Sequence, residues 1–145
     1  MISRGCIYAA ACPIIRDSEI RLYYGGNNAP HTTWRDGFFC LARLRPDGFA
    51  GMEPVKPDAT GVIVTKPIVC AGKELRISAD VAGGSVRVGV EGEKGLSLDD
   101  CEPVSANVTD GVVRWKEGLN LTQFVGKTIR LRFELRAATL YAFGW

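Results

Sequence analysis

The sequence predicts an all-β fold, a two-layer antiparallel β-sandwich that is jelly-roll-like. Three observations carry that expectation. Apolar and polar residues alternate with a period of two in several places, as in strands with one buried and one wet face. No stretch of twelve or more residues keeps a clean helical period. Seventeen glycines and seven prolines cut the 145 residues into short segments, the punctuation of sandwiches and barrels.

The segments follow in chain order. Ile7 to Ile15 is apolar, but Pro13 interrupts it and Tyr8 and Cys12 dilute it, which suits folded structure better than a signal peptide. Glu19 to Gly25 sets Ile20, Leu22 and Tyr24 against Arg21 and Tyr23. Phe38 to Leu44 is apolar on both faces until Arg43 and is expected as a central strand. Val62 to Val69 follows. Glu74 to Val81 then puts Leu75, Ile77, Ala79 and Val81 on one face and Glu74, Arg76, Ser78 and Asp80 on the other. Ala82-Gly83-Gly84 predicts a hairpin turn, because glycine adopts positive φ without steric cost. Ser85 to Glu91 resumes the alternation through Val86, Val88 and Val90. Val112 to Trp115 is a further strand, with Trp115 in the core. Asn120 to Val125 suits one helical or 3₁₀ turn capped by Asn120 or Thr122. The sharpest strand is Thr128 to Arg136, with Ile129, Leu131, Phe133 and Leu135 inward and Arg130, Arg132, Glu134 and Arg136 outward. Thr139 to Phe143 completes a set of about nine to eleven strands. Trp145 reads equally as a final strand anchor or an exposed aromatic.

Composition excludes several classes. Hydrophobic residues are 46% and charged residues 23%, so the chain is not intrinsically disordered. No apolar run approaches the roughly 18 residues of a transmembrane helix, so no membrane partner is expected. A net charge of +2 is too balanced for non-specific nucleic-acid binding, and the aromatic-basic signature of nucleic-acid modules is missing. One histidine and five scattered cysteines, Cys6, Cys12, Cys40, Cys70 and Cys101, form no metal or redox motif, and no cofactor is implied. They read as buried thiols of a reducing, cytoplasmic setting; a bridge from Cys6 or Cys12 to a neighbouring strand is also compatible with the sequence. A 15.7 kDa chain is one domain, 1–145, that buries about 70% of its unfolded surface. Composition shifts near Pro46-Asp47-Gly48, from aromatics and a polar loop to valine-rich alternation.

Several segments together carry a resemblance. Gly5-Cys6-Ile7-Tyr8-Ala9-Ala10 runs to Pro13, then Glu19-Ile20-Arg21-Leu22-Tyr23-Tyr24-Gly25-Gly26-Asn27-Asn28 and His31. Leu41-Ala42-Arg43-Leu44-Arg45-Pro46-Asp47-Gly48-Phe49, Thr65-Lys66-Pro67, Gly72-Lys73-Glu74-Leu75, Val125-Gly126-Lys127 and Leu140-Tyr141-Ala142-Phe143 follow. This set resembles the C-terminal region of bacterial proteins related to the invertase-like and arabinanase-like glycoside hydrolases, in which a five-bladed β-propeller precedes a β-sandwich. The resemblance implies that residues 1–47 correspond to a last-blade segment and 48–145 to the sandwich proper. It also implies that the catalytic carboxylates, which those enzymes carry in earlier blades, lie outside this chain. Arg16-Asp17-Ser18 and Arg35-Asp36-Gly37 both lack the proline of the family's Arg-Asp-Pro element.

Two surfaces are candidate binding sites. Asn27, Asn28, His31, Trp34, Arg35 and Asp36 combine a flat aromatic with planar polar groups, the mixture a sugar site needs; the alternative is a long solvated loop. His31 has no serine or cysteine nucleophile at a recognisable spacing. The outward arginines Arg76, Arg87, Arg130 and Arg132, with Arg136, make a face for an anionic ligand such as a uronic-acid polysaccharide; the alternative is pairing with Glu74, Glu91 and Glu134. Asp99-Asp100 is no glycosidase pair, since adjacent strand residues face opposite ways and the chemistry needs carboxyls roughly 5–9 Å apart. These readings lead to a non-catalytic module with a polysaccharide or oligosaccharide as partner. A purely structural piece that packs on a propeller domain or forms a homo-oligomer is the second expectation.

Overall fold

The computed structural model describes residues 5–16 and 19–145. The opening Met1–Arg4 and the Asp17-Ser18 portion of the Arg16-Asp17-Ser18 element lie outside the described residues. Ten strands run through the rest, all sheet pairings are antiparallel, and regular helix is limited to two 3₁₀ turns. The all-β expectation therefore holds. Among the described residues no helix is long and apolar enough to cross a membrane. The chain forms two units, Met1–Gly48 and Phe49–Trp145, which divide where the composition shifts.

The first unit is one sheet of β1 (Ile7–Ala9), β2 (Ile14–Ile15), β3 (Ile20–Asn27) and β4 (Gly37–Leu44). β3 is central. β4 pairs with it along its whole length, from Ile20 opposite Leu44 to Asn27 opposite Gly37. On the other side β1 pairs with residues 24–26 and β2 with residues 20–21. Between β1 and β2, residues 10–13 face only residues 22–23, so this edge is bulged, and Pro13 withholds a donor there. Directly opposed residues share a face. One face therefore carries Ile7, Ala9, Ile15, Ile20, Leu22, Tyr24, Phe38, Cys40, Ala42 and Leu44, and is apolar throughout. The other face is mixed: the Tyr23 and Phe39 rings stack at 5.4 Å, and Glu19 pairs with Arg21 and Arg43.

The expected central place of Phe38–Leu44 is corrected here. β4 is an edge strand, and Phe39 is 82% exposed. Apolar character on both faces says which surfaces avoid water; it does not say whether a second strand is available to pair.

The second unit is a four-stranded sheet in the order β5 (Thr60–Val64), β10 (Leu131–Gly144), β7 (Arg76–Val90), β8 (Val108–Val112), with a separate ribbon of β6 (Ile68–Val69) and β9 (Thr128–Ile129). Pro67 separates β5 from β6 within the segment read as one strand. Trp115 lies beyond β8 and bridges to Cys101 instead.

The Ala82-Gly83-Gly84 hairpin is also corrected. β7 runs on through it, and β10 accompanies it for its full length. Residues 82–84 lie opposite Ala137 alone, so both strands kink together; Gly83 has φ +83° and Ala137 φ +40°. Gly84 is needed for a second reason: a Cβ there would stand 1.8 Å from the Arg136 carbonyl oxygen. The turn chemistry is real, but it bends a paired strand and does not reverse it.

The core lies on one face of this sheet. Ile77, Ala79, Val86 and Val88 from β7 meet Leu131, Phe133, Leu135 and Leu140 from β10, and burying a Val, Leu, Ile or Phe side chain contributes about 1.5–3 kcal/mol. The facing layer is the β6–β9 ribbon and the connecting segments, which contribute Ile129, Cys70, Leu96, Cys101, Val113, Trp115, Leu121 and Phe124. Antiparallel layers that do not close into a barrel are consistent with the sandwich. Trp115 is core, as expected, and Trp145 stays partly exposed. The 3₁₀ turn Thr122–Phe124 forms where the sequence placed it, with Asn120 Oδ1 accepting from the Thr122 N–H at 2.9 Å. Cys70 and Cys101 are buried, Cys6 and Cys40 half-buried and Cys12 exposed, and all five are unpaired.

Two substitutions test this account. Trp115→Phe removes the indole donor to the Val88 carbonyl (3.0 Å) and is expected to lower the unfolding free energy by about 2–3 kcal/mol, read from urea midpoints. Gly84→Ala drives a methyl into the Arg136 backbone and is expected to cost about 2–3 kcal/mol, whereas Gly37→Ala, which meets open space, stays within about 0.5 kcal/mol.

Candidate functional site

The segment after β3 is built by its own polar groups. Asn27 belongs to the strand and is buried, its Oδ1 accepting from the Cys6 N–H at 2.9 Å. Asn28 and Asp36 close the neck of the loop reciprocally: Asn28 Nδ2 donates to Asp36 Oδ2 at 2.9 Å, and the Asp36 N–H donates to Asn28 Oδ1 at 3.0 Å. Within the loop, Thr33 donates to the Pro30 carbonyl through its N–H and its hydroxyl. Arg35, partly buried, donates to the His31 carbonyl at 2.6 Å. Its other guanidinium nitrogen reaches Tyr8 Oη at 3.5 Å, and the Tyr8 and His31 rings lie 6.4 Å apart.

This bracing leaves Trp34 at the loop surface, 96% exposed. The six residues expected to act together thus divide. Asn27 is structural, Asn28, Arg35 and Asp36 brace the loop and keep exposed polar atoms, and His31 and Trp34 are presented to solvent. Trp34 is thus the one aromatic of this loop, and its indole lies in water beside the exposed Asn28, His31 and Asp36.

The arginine face is mostly engaged. Arg76 is held between Glu74 (3.1 Å) and Asp110 (2.7 Å), and the Glu74 hydrogen bond, then the Asp110 charge, push its guanidinium pKa up. Arg87 donates to the Leu98 and Cys101 carbonyls, both at 3.2 Å. Arg132 lies 3.6 Å from Glu91, and Arg136 lies 3.0 Å from Glu134. Arg130 is exposed and lines a cleft of about 490 Å³ with Lys127, Glu93, Phe124 and Ile129. Arg132 lines an adjoining cleft of about 320 Å³, and the two share Val90 and Glu91. Lys127, whose ammonium stands 5.9 Å from the Phe124 ring centre, was not singled out in the sequence; the sign of it was a lysine and an arginine flanking the two residues of β9.

The paired acids Asp99 and Asp100 hold a turn. Asp100 Oδ2 accepts from the Ser97 N–H at 3.1 Å and the Ser97 hydroxyl at 2.6 Å, and the Asp99 carbonyl accepts from Lys116 Nζ at 2.8 Å. The Ser97 hydroxyl bond, then the Ser97 amide, hold the Asp100 carboxyl below the usual carboxylate range. Among the described residues no group of three or more His, Cys, Asp or Glu stands together to hold a metal ion. Burial pushes the Cys101 thiol up, so this sulfur stays protonated and unreactive at neutral pH.

The depressed Asp100 pKa sets the sign of a pH effect. Its stabilising contribution is full above the unfolded value of about 3.9 and is lost as pH falls through the folded value. The stability gap between the native chain and Asp100→Asn is therefore expected to be larger at pH 7 than at about pH 3, read from urea midpoints at each pH. Compared with family models, with curated proteins and with solved structures, the chain matches none.

Proposed function

We propose that the chain is a non-catalytic carbohydrate-binding module that takes a polysaccharide or oligosaccharide on the loop around Trp34. The observation that carries the reading is a fully exposed indole on a loop braced by its own Asn28–Asp36 and Arg35 hydrogen bonds. A pyranose offers a flat C–H face to such a ring, while its hydroxyls suit the neighbouring amide, carboxylate and guanidinium groups. Preorganisation matters because a floppy loop would lose ordering entropy on binding. The clefts at Arg130 and Arg132 on the second unit set these cations beside Glu91, Glu93 and Asp99, a mixture of charged groups that suits the hydroxyls of a saccharide more than a row of carboxylates. Five unpaired thiols support a reducing, cytoplasmic setting.

A second reading has its own observation: the apolar face of the first unit, with Ile7, Ile15 and Phe38 exposed, suits a structural role in which that sheet packs against a propeller domain or another copy.

Affinity gel electrophoresis against a panel of neutral and acidic polysaccharides separates the two. Retardation by at least one polymer is expected, with Trp34→Ala weakening it roughly tenfold while leaving the thermal midpoint unchanged. Equal retardation of the native chain and Trp34→Ala, or no retardation on any polymer, would remove the carbohydrate reading.

A further inference from the structure

Glycine is an odd residue for the interior of a central strand, because it costs backbone entropy and offers no side chain to pack. Gly25 lies inside β3, the strand with neighbours on both sides. The ordinary reasons for a glycine do not apply there. Its φ is not positive. Pairing runs through it without a bulge, with Tyr8 opposite it on β1 and Phe39 opposite it on β4. Among the described residues, a Cβ at 25 would meet nothing nearer than the Tyr8 carbonyl oxygen at 4.0 Å, so no packed neighbour needs the room. An aromatic beside a sheet glycine can lean over to cover it, but the rings of Tyr8, Tyr23 and Phe39 all stop short of that position.

What remains is a slot. Directly opposed residues share a face, so Tyr8 and Phe39 stand on either side of Gly25, on the mixed face of the sheet. Their strands flank β3 and lie about 9.5 Å apart. A ring packed against both walls at about 3.5–4 Å takes up most of that span. Both wall side chains are exposed, and the Tyr23 ring stacks on Phe39 and supports it. A glycine within a strand often marks the close approach of another group.

The chemistry of the walls selects the guest. Tyr8, Tyr23 and Phe39 offer ring faces and no charge. The two tyrosines end in hydroxyls, the Arg35 guanidinium reaches the Tyr8 hydroxyl at 3.5 Å, and the His31 ring lies 6.4 Å from the Tyr8 ring. Apolar faces under a polar rim match a pyranose, which has C–H groups on its two faces and hydroxyls around its edge. The slot also adjoins the loop of Trp34. Gly25 and Phe39 are each two residues, or about 7 Å, from Asn27 and Gly37, where that loop leaves and rejoins the sheet. Arg35, which reaches Tyr8, follows Trp34 in the chain.

We propose that the slot over Gly25 holds one sugar ring between Tyr8 and Phe39, as a second subsite of the saccharide site at Trp34. The proposal rests on the carbohydrate reading of that loop and extends it: the ligand spans at least two sugar residues.

Gly25→Val tests it by filling the slot with a residue that favours strands. The probes are xylan, galactomannan, a mixed-linkage β-glucan and polygalacturonate in affinity gels. On each polymer that retards the native chain, Gly25→Val is expected to weaken retardation about tenfold with a thermal midpoint equal to or above the native one. Phe39→Ala is expected to weaken it to a similar degree, and Phe39→Trp to keep it. The Phe39 pair decides the matter if Gly25→Val lowers the midpoint, because that side chain is exposed. As a competitor, a tetrasaccharide of the retarding polymer is expected to release the native chain at a concentration roughly tenfold below that of the monosaccharide, a preference that Gly25→Val loses. Native-like retardation of Gly25→Val and Phe39→Ala, with Trp34→Ala running free, would overturn the slot and leave the loop reading standing. Equal potency of monosaccharide and tetrasaccharide on the native chain would do the same. A native chain that none of the four polymers retards would overturn both.

Discussion

The second unit depends on how the free side of β7 is satisfied. β7 is fifteen residues long, but β8 pairs with it only over Arg76 to Ala79. Farther along, the main-chain groups of Val86, Val88 and Val90 turn away from β10 and toward the connecting segments. Left unpaired in a buried place, each would cost about 1–3 kcal/mol. None is left unpaired. Val86 exchanges two bonds with Val104, both at 2.9 Å. The Val88 N–H donates to the Cys101 sulfur at 3.2 Å, and the Val88 carbonyl accepts from the Trp115 indole at 3.0 Å. The Val90 N–H donates to the Leu96 carbonyl at 2.7 Å. A thiol, an indole and two loop residues thus do the work of a missing strand.

That requirement shapes the remaining packing. Residues 91–115 must return along β7 to deliver Leu96, Cys101, Val104 and Trp115 to their partners, and in doing so they cover the core that Phe133, Val86 and Val88 expose on that face. Arg87, from the opposite face of β7, reaches round to the Leu98 and Cys101 carbonyls and ties down the same segment. The turn held by Asp100 and Ser97 lies within it. This is why an outward arginine row does not amount to an open cationic stripe. Arg76 and Arg87 are consumed in holding structure together, while Arg130 and Arg132 stand at the edge of clefts.

The first unit works under the opposite condition. Its three-strand-wide sheet has one wholly apolar face and little to bury it with, so it spends its polar residues locally. Asn27 ties the strand end to Cys6, and Asn28, Arg35 and Asp36 stiffen the loop that follows. These bonds close the loop on its own polar groups and leave the Trp34 indole in solvent.

Much of this was legible in the residues, because strand alternation is a local property. A period of two, read over eight residues, already assigned the inner faces of β7 and of the first half of β10, and a shift in composition marked Pro46-Asp47-Gly48, where the two units divide. The Asn120 bond that opens the turn at Thr122–Phe124 was legible for the same reason, since its partners lie two residues apart. Partner choice is not local. Glycines at 83 and 84 permit either a reversal or a kink, and only the presence of β10 along both halves selects the kink. Apolar Phe38–Leu44 fits a centre or an edge equally, and only the supply of neighbouring strands makes it an edge. Asn27 and Trp34 look alike as members of one polar loop, yet the first is buried and bonded to the Cys6 N–H while the second is 96% exposed. The sequence by itself determined the strand class and the apolar faces; the tertiary structure alone decided which strands are neighbours and which polar groups stay free, because those depend on residues brought together from far apart in the chain.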